Sequence, residues 1–389
     1  SAELAAFYGA QAAFFVCYIY LYRVFYRNSS RILVNNTCML LATSFIILTR
    51  LNPDRAMRQF LIVAVSAVAS WLVPFIIGRV WQLAKYPFAF GFLGLALLFI
   101  VFAAGKSAYG AQLSLSVAGI SLQPSEFVKI TFVFFVAGMF YRSVSFKTVA
   151  QTTAFAAAHV LVLVASRDLG SALIFFIAYL MMLFVATNDW RLLGIGAAGG
   201  TGAACIAYRL FPHVQRRVAA WSDPWTDVAD TGYQAAQALF AIGTGGWLGA
   251  GLYAGMPEKI PVVDKDFVFA AVSEELGGVY ALCILFICLG CFLQFMMVAM
   301  SLQAMFYKLI AFGLGTVYIT QVFLTIGGVV KFIPLTGVTL PFVSYGGSSA
   351  MSTFMVFNII QGLYILKHGE EDADEEKQRA EESETESKG

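Results

Sequence analysis

Long apolar runs dominate this chain, and they constrain its fold more than any other feature. Hydrophobic residues make up 59% of the 389 residues and charged residues only 12%. That composition is typical of a chain whose solvent is lipid, and a helix of roughly 17–25 apolar residues crosses a bilayer. We therefore expect an all-α, polytopic integral membrane protein with about 10–11 transmembrane helices, near 4–26, 32–50, 59–79, 86–105, 125–141, 150–166, 168–187, 191–210, 267–300, 305–328 and 348–366.

Two polar segments stand out between and after these runs. The connection 211–266 is the longest and contains Trp, Tyr, Gly and Pro, so we expect a large extracytoplasmic loop that lines a cavity at the outer surface. The Glu-rich residues 367–389 predict an acidic, disordered cytoplasmic tail. The cysteines fall inside apolar runs without metal-ligand or disulfide spacing, so neither a zinc site nor a disulfide framework is indicated.

An acidic segment stands at the entrance of the ninth run. Residues 263–277 place Asp266, Glu274 and Glu275 where the chain enters lipid. An ionised Asp near hydrocarbon costs at least about 2.5–3.5 kcal/mol, so such acids are functional candidates. The alternative for Asp266 is an acid at a helix N-terminus that interacts with the dipole, worth about 0.3–1 kcal/mol. Asp264 is the competing candidate for the functional acid, because it lies too close to Asp266 in sequence for the pattern to distinguish them. The ninth run exceeds one bilayer thickness, and its start is expected to be a water-exposed turn.

Several short motifs make the chain similar to the SEDS family (shape, elongation, division and sporulation; RodA/FtsW/SpoVE-like proteins). The similarity extends from about Leu40 to Leu366. The motifs are Gln-Pro-Ser-Glu-Phe-Val-Lys at 123–129, Asp-Leu-Gly at 168–170, Gly-Tyr-Gln at 232–234 with Gly-Gly-Trp-Leu-Gly at 245–249, Asp-Phe-Val-Phe at 266–269 with Glu-Glu-Leu-Gly at 274–277, and Pro-Leu-Thr-Gly at 334–337 followed by Leu-Pro-Phe-Val-Ser-Tyr-Gly-Gly-Ser-Ser at 340–349.

The resemblance implies a peptidoglycan glycosyltransferase, an inverting hexosyltransferase that polymerises lipid II at the outer face of the bacterial cytoplasmic membrane. It serves cell-wall elongation, division or sporulation. The implied partners are lipid II, a class B penicillin-binding protein and membrane lipid, with no nucleic acid. The family's catalytic Asp falls on Asp266 of the Asp-Phe-Val-Phe motif.

The chain departs from the family pattern at three places. An Arg-Trp pair common before the 123–129 motif is missing near Gly110, and the usual Asn before the 334–337 motif corresponds to Thr325. The family usually has ten helices, so residues 1–31 are read as an additional N-terminal transmembrane helix and a cytoplasmic loop before a core at 32–366. With that addition, the N-terminus is expected outside and the C-terminus in the cytoplasm.

The chemistry of lipid II polymerisation requires few groups. A sugar hydroxyl attacks an anomeric carbon, and a diphosphate that cations neutralise departs without protonation, so one carboxylate base plus positive charge suffices. Glycosidases need two carboxylates about 5–9.5 Å apart, whereas eight residues from Asp266 to Glu274 span about 12 Å of helix. Asp266 is therefore assigned as a general base or as a ligand of a divalent metal, Mg or Mn, and no organic cofactor is expected.

Five charged residues are the candidates for substrate binding. Glu126 and Lys129, spaced i,i+3, either form a buried salt bridge that fixes packing or hold phosphate through Lys129. Arg216, Arg217 and Lys259 are cations suited to a diphosphate, and at least one of them is expected to be a solvated surface charge. Two other functions stay open: a lipid II flippase or transporter, whose charges would line a path across the bilayer, and a scaffold with a decayed site.

Overall fold

The helices of the fold follow the apolar runs closely. The computed structural model describes residues 2–104, 106–108, 111–117, 120–228, 230 and 232–386. Its helices are α1 (Ala2–Phe25), α2 (Arg31–Leu51), α3 (Pro53–Ala69), α4 (Val73–Ile77), α5 (Pro87–Ala104), α6 (Ser125–Arg142), α7 (Phe146–Ala165), α8 (Leu169–Thr187), α9 (Trp190–Leu210), α10 (Pro212–Ser222), α11 (Tyr233–Gly245), α12 (Val268–Ser301), α13 (Met305–Val329) and α14 (Gly347–Glu386).

Each predicted span coincides with one of these helices except 59–79, which covers parts of α3 and α4, and the expected all-α, polytopic class is confirmed. Among the described residues, eight helices are long and apolar enough to cross a membrane, and Pro87–Ala103 is a shorter apolar helix. The helices α6 and α9 also coincide with predicted spans, with 18 and 21 residues. The most enclosed helix is α13, which packs against α12, α8 and α6.

Local sequence signals explain several helix boundaries. Ser30 caps α2 by accepting a hydrogen bond from the N–H of Leu33, and Asn52 caps α3, whose first residue is a proline. Asp168 caps α8 by accepting from the N–H of Ser171 at 3.0 Å. Each cap satisfies backbone donors that the first helical turn would otherwise leave unpaired.

A small antiparallel sheet lies between α5 and α6. Its strands, in the order β1-β2-β3, are β1 (Lys106–Ala108), β2 (Ala111–Val117) and β3 (Ile120–Leu122). This sheet was not among the predicted elements, although residues 111–117 alternate apolar and polar side chains, which is the signal of a strand. The missing Arg-Trp pair falls in this region, and Gly110 itself lies outside the described residues.

The helix α12 is broken near its start. Gly277 has φ 91° and ψ 166° inside this 34-residue helix, a conformation that glycine adopts without the steric cost of a β-carbon. The expectation of a water-exposed start is wrong, because residues 268–275 are all buried. The loop after α11 covers them, and its backbone donates from Ala250 N–H to Glu274 O at 2.8 Å and from Gly251 N–H to Glu275 O at 3.0 Å.

The last helix also differs from the prediction. Residues 367–389 were expected to be disordered, yet α14 continues as a helix to Glu386. Ala, Glu, Gln, Lys and Arg dominate this stretch and are strong helix formers. Because the apolar part of α14 is already helical, the tail extends an existing helix and avoids the cost of nucleating a new one.

Two ends of the molecule can be distinguished along α2. At one end, Ser30 N–H donates to Gln361 Oε1 at 2.8 Å. At the other end, Arg50 Nε lies 2.7 Å from Glu275 Oε1. Phe7, near the start of α1, packs against α2 and α3 at the Arg50 end. The start of α1 and the start of α12 therefore share one end, called here the Asp266 end, while the loop 26–30 and the late part of α14 lie at the opposite end.

Candidate active site

A cavity of about 400 Å³ opens at the Asp266 end of the molecule. The segment before α12, the segment after α13, the start of α8, and the helices α10 and α11 all contribute to it. Its polar and charged lining consists of Gln123, Glu126, Arg167, Asp168, Ser171, Arg216, Arg217, Trp221, Gln234, Lys265, Asp266, Lys331, Thr336 and Thr339. The predicted loop 211–266 thus supplies one wall, through α10 and α11.

The backbone around Asp266 is held by the segment that follows α13. Tyr345 N–H donates to Asp264 O at 2.8 Å, and Ser344 Oγ donates to Lys265 O at 2.5 Å. Ser344 Oγ in turn accepts from Leu340 N–H at 2.9 Å. These bonds join the 340–349 motif to the two residues before the 266–269 motif, so two stretches far apart in sequence fix the backbone that carries Asp266.

The Asp266 side chain is half-buried in the cavity wall. Burial raises the pKa of Asp266 from its ordinary value to about 6, while the charges of Lys265 and Arg217 act in the opposite direction. Desolvation disfavours the charged carboxylate, and cations restore part of that loss. A carboxylate with a pKa just below neutral pH is mostly ionised at pH 7 and still basic enough to accept a proton.

The neighbouring acid, Asp264, has a different role. Its side chain is buried, and Asp264 Oδ2 lies 2.7 Å from Arg55 Nη1. Asp264 does not line the cavity. The structure therefore separates two residues that the sequence left as competitors: Asp264 is an ion-pair partner of α3, and Asp266 faces the cavity.

Arg217, on α10, is a half-buried cation whose charge acts on Asp266. Its Nη1 donates to Thr336 O at 3.1 Å. A β-carbon added at Gly337, where φ is +77°, would lie 3.6 Å from Arg217 Nη2 and 3.8 Å from Asp266 Oδ2. The 334–337 motif therefore brings its backbone between the two charges. Arg216 also lines the cavity but is exposed.

The pair Glu126 and Lys129 lies deeper. Lys129 Nζ donates to Glu126 Oε2 at 2.8 Å and to Gln321 Oε1 at 2.7 Å, and all three side chains are buried. Gln321 Nε2 donates onward to Thr339 O at 3.0 Å. Glu126 lines the cavity and Lys129 does not. This geometry favours the packing interpretation for Lys129, which supports the wall instead of reaching into the cavity.

Lys259 lies away from the cavity. It ends the short 3₁₀ helix Pro257–Lys259, and it is exposed. Lys265, Lys331 and Asp168 line the cavity although the sequence did not mark them as candidate site residues. The available sequence signal that Lys331 belongs to the site is its position just before the 334–337 motif.

The charge of the lining favours an anion over a resident cation. Five cationic side chains line the cavity against three carboxylates: Arg167, Arg216, Arg217, Lys265 and Lys331 against Glu126, Asp168 and Asp266. Within the described part of the chain, no group of three or more His, Cys, Asp or Glu residues is arranged to hold a metal ion. The donor set therefore does not fit a resident Mg or Mn ion at Asp266, whereas it suits a diphosphate.

Glu274 and Glu275 lie outside this cavity, in a second acidic cluster. Glu275 pairs with Arg50, which also lies 3.1 Å from Glu258 Oε2 and packs its guanidinium over the ring of Tyr253. Glu274 Oε1 accepts from Met256 N–H at 2.9 Å. These acids tie the break in α12 to the loop that covers it.

Comparison with known proteins places the chain in a family. The family model of cell cycle proteins named for FtsW, RodA and SpoVE matches residues 26–368. Peptidoglycan glycosyltransferase RodA of Mycobacterium tuberculosis H37Rv is 33% identical over 333 residues, covering 81% of this chain and 70% of that protein. The probable peptidoglycan glycosyltransferase FtsW of Aliivibrio salmonicida is 31% identical over 332 residues, covering 82% of each.

Solved structures share the fold. One chain, from a study of how a peptidoglycan synthase complex coordinates polymerization and crosslinking, aligns with a TM-score of 0.76 at 23% identity, covering 87% of this chain and 98% of its own length. The crystal structure of Thermus thermophilus rod shape determining protein RodA aligns with a TM-score of 0.65 at 22% identity, covering 86% and 96%. This chain therefore belongs to the FtsW/RodA/SpoVE family and is a multi-pass membrane protein, as the sequence motifs predicted.

Proposed function

We propose that this protein is a peptidoglycan glycosyltransferase that polymerises lipid II, with Asp266 as the general base. The relatives at 31–33% identity carry the name of that activity. The observation that carries the proposal within this chain is the cavity: the half-buried carboxylate of Asp266, with a pKa of about 6, stands in a lining that holds five cations and two further carboxylates, Glu126 and Asp168. That arrangement meets the needs of a transfer whose leaving group is a diphosphate.

The proposed step moves one proton and exchanges one bond. The acceptor sugar hydroxyl gives its proton to an Asp266 carboxylate oxygen as its oxygen forms a bond to the anomeric carbon of the donor. The bond between that carbon and the lipid diphosphate breaks, and the electron pair leaves with the diphosphate. Because the attacking and leaving groups are on opposite faces, the anomeric carbon inverts. General-base catalysis of this kind contributes about 10²–10⁴-fold.

Arg217 is assigned to the departing diphosphate. It is half-buried, its guanidinium is oriented by Thr336 O, and it lies beside Asp266. A preorganised cation in a partly desolvated site stabilises developing negative charge more than a solvated one does. Arg216 and Lys331 would add charge at the rim, and Glu126, held by Lys129, would shape the wall.

A lipid II flippase fits the structure less well. Such a protein needs polar groups at several depths along a path. Here the cavity charges gather at one end of the molecule, and the deeper charged pair, Glu126 and Lys129, is bonded to itself and to Gln321. The relatives named as glycosyltransferases also support an enzyme.

We further propose the surroundings in which the enzyme works. The Asp266 end would face outward from the bacterial cytoplasmic membrane, which places the N-terminus outside and the C-terminus in the cytoplasm. A class B penicillin-binding protein is the proposed partner, since a chain of the same fold was solved in a peptidoglycan synthase complex.

Polymerisation of lipid II by the purified protein, with and without the partner transpeptidase, tests this function. Glycan strands should form in at least one of the two conditions and disappear with Asp266→Asn. A parallel reaction with a chelator tests the metal: loss of polymer that Mg or Mn restores would establish a metal requirement, contrary to the donor set. If no polymer forms in either condition, while lipid II moves between the leaflets of vesicles that contain the protein, the protein is a flippase.

A further inference from the structure

A second cavity, of about 250 Å³, lies at the end of the molecule opposite Asp266. The end of α1, the loop 26–30 and the start of α2 form it. Three arginines, Arg23, Arg27 and Arg31, line it together with the polar side chains of Tyr22, Tyr26, Ser29 and Asn35. The catalytic proposal makes no use of these residues.

The arginines of this cavity lack anionic partners among the described side chains, which extend to Gly369. None of the ion pairs or side-chain hydrogen bonds found in that part of the chain involves Arg23, Arg27 or Arg31. Three guanidiniums around one cavity repel one another, and each is a fork of donors that matches phosphate oxygens. The cavity is therefore complementary to a phosphate group.

The position of Arg31 strengthens this interpretation. Arg31 is the first residue of α2, and a helix N-terminus favours negative charge, so a cation there is unfavourable without an anion nearby. The cavity walls are also fixed: Tyr22 donates to the Asn358 side chain, and Tyr26 Oη donates to Trp71 O at 2.6 Å. A ligand would meet a preformed site.

Exposed apolar side chains next to the arginines in sequence indicate that the phosphate belongs to a lipid. Val24, Phe25 and Ile32 are 49%, 66% and 52% exposed, and they flank the arginines in sequence. An acyl chain would cover such side chains, whereas free phosphate would leave them bare. Cytoplasmic leaflets are rich in anionic lipids, each nearby Lys or Arg adding about 1 kcal/mol of attraction.

One wall of the cavity comes from α1, through Tyr22 and Arg23. These two residues lie outside the region that the family model matches, which begins at residue 26. We propose that the cavity binds the phosphate headgroup of an anionic phospholipid of the inner leaflet; the leaflet assignment rests on the proposed function, and the headgroup chemistry does not.

The decisive experiment measures lipid bound to the full chain by native mass spectrometry, with phosphatidylglycerol, phosphatidylcholine and inorganic phosphate as separate probes. The variant R23Q/R27Q/R31Q is compared with R79Q/R142Q/R191Q, which removes three exposed arginines outside the cavity at the same end of the molecule. Phosphatidylglycerol binding should fall about tenfold or more in the first variant and less than about twofold in the second. Phosphatidylcholine should bind both weakly.

Three outcomes would overturn the proposal. They are equal loss in the two triple variants, equal binding of the two phospholipids to the unmodified chain, and saturation by inorganic phosphate that displaces phosphatidylglycerol. If the triple variant fails to fold, Arg27→Gln alone, in an exposed loop position, should lower phosphatidylglycerol binding about fivefold. Because binding is read independently of polymerisation, failure of the catalytic proposal leaves this result interpretable.

Discussion

Two acidic clusters lie close together in the sequence: the first contains Asp264 and Asp266, and the second contains Glu274 and Glu275. The surroundings of Asp266 are opposite to those of the two acids in the second cluster. Glu275 has a fully buried side chain bonded to Arg50, and Glu274 accepts a backbone hydrogen bond from Met256. Asp266 is half-buried and, among the described residues, accepts no hydrogen bond. Lys265 and Arg217 interact with it only electrostatically. Glu274 and Glu275 each have one carboxylate oxygen bonded and the other buried away from the cavity, so they hold the fold. Asp266 faces the cavity with unbonded oxygens and can take a proton. The comparison predicts that the two clusters separate activity from stability.

The largest expected effect is at Asp266. Replacing it by Asn keeps the shape and removes the base, so lipid II polymerisation by the purified enzyme should fall on the order of 10²–10⁴-fold, with the melting temperature in detergent unchanged within about 2 °C. The matched control is Asp54→Asn, since Asp54 is an exposed acid at the start of α3. Full activity in D266N would refute the assignment.

In the second cluster, the corresponding test is the substitution Arg50→Met. Removing the guanidinium leaves Glu275 buried without its cation, which should lower the free energy of unfolding by about 3–5 kcal/mol. Thermal denaturation followed by circular dichroism measures this loss. The control is Arg58→Met, an exposed arginine of α3. Equal stability of the two variants would show that the cluster does not hold the α12 break.

The substitution Arg217→Gln tests which step of the reaction at Asp266 the arginine assists. Loss of a preorganised cation at the leaving group should lower kcat about 10²-fold, with a smaller effect on KM, because the charge develops in the transition state. Steady-state polymerisation at several lipid II concentrations separates the two parameters. A change confined to KM would assign Arg217 to ground-state binding.

The pH dependence of polymerisation follows from the raised pKa of Asp266, about 6. The base must be deprotonated, so activity should be near its plateau above pH 7 and decline as pH falls through about 6, reaching roughly one tenth at pH 5. Initial rates across pH 5–8 measure this, with protein stability checked at each pH. A flat profile over that range would place the proton acceptor elsewhere.

The smallest expected effect compares two candidate cations. Arg216→Gln should lower polymerisation a few-fold, because Arg216 is an exposed lining residue and screening weakens exposed charges. Lys259→Gln should change activity less than about twofold, because Lys259 lies outside the cavity. The same polymerisation assay measures both. A larger loss in the lysine variant would show that the substrate extends beyond the cavity.

The helices could be predicted well because the length of an apolar run is read directly from consecutive residues. The sequence also predicted that Asp266, Arg216, Arg217 and Glu126 matter, and the structure brings all four to one cavity. The roles of Asp264 and Asp266 could not be separated from sequence, because the difference depends on Arg55, 209 positions away.

Other features needed the three-dimensional arrangement as well. Which of two i,i+3 residues faces a cavity is set by neighbouring helices, so Lys129 could equally have been a phosphate ligand. Lys331 is marked only by its position before the 334–337 motif, and it enters the cavity because the segment after α13 folds back. The helical tail after residue 367 was misjudged because its composition suits a solvated helix as well as disorder once a preceding helix provides the nucleus.

The hydrogen bond from Ser344 to Lys265 spans 79 positions of the chain. During synthesis, Asp266 therefore reaches the membrane well before the residues that hold its backbone have been made. A partly synthesised chain has the acid but lacks the bonds that orient it, and it has neither Gly337 nor Lys331. Asp266 could thus act as an oriented base only after synthesis has passed Ser344.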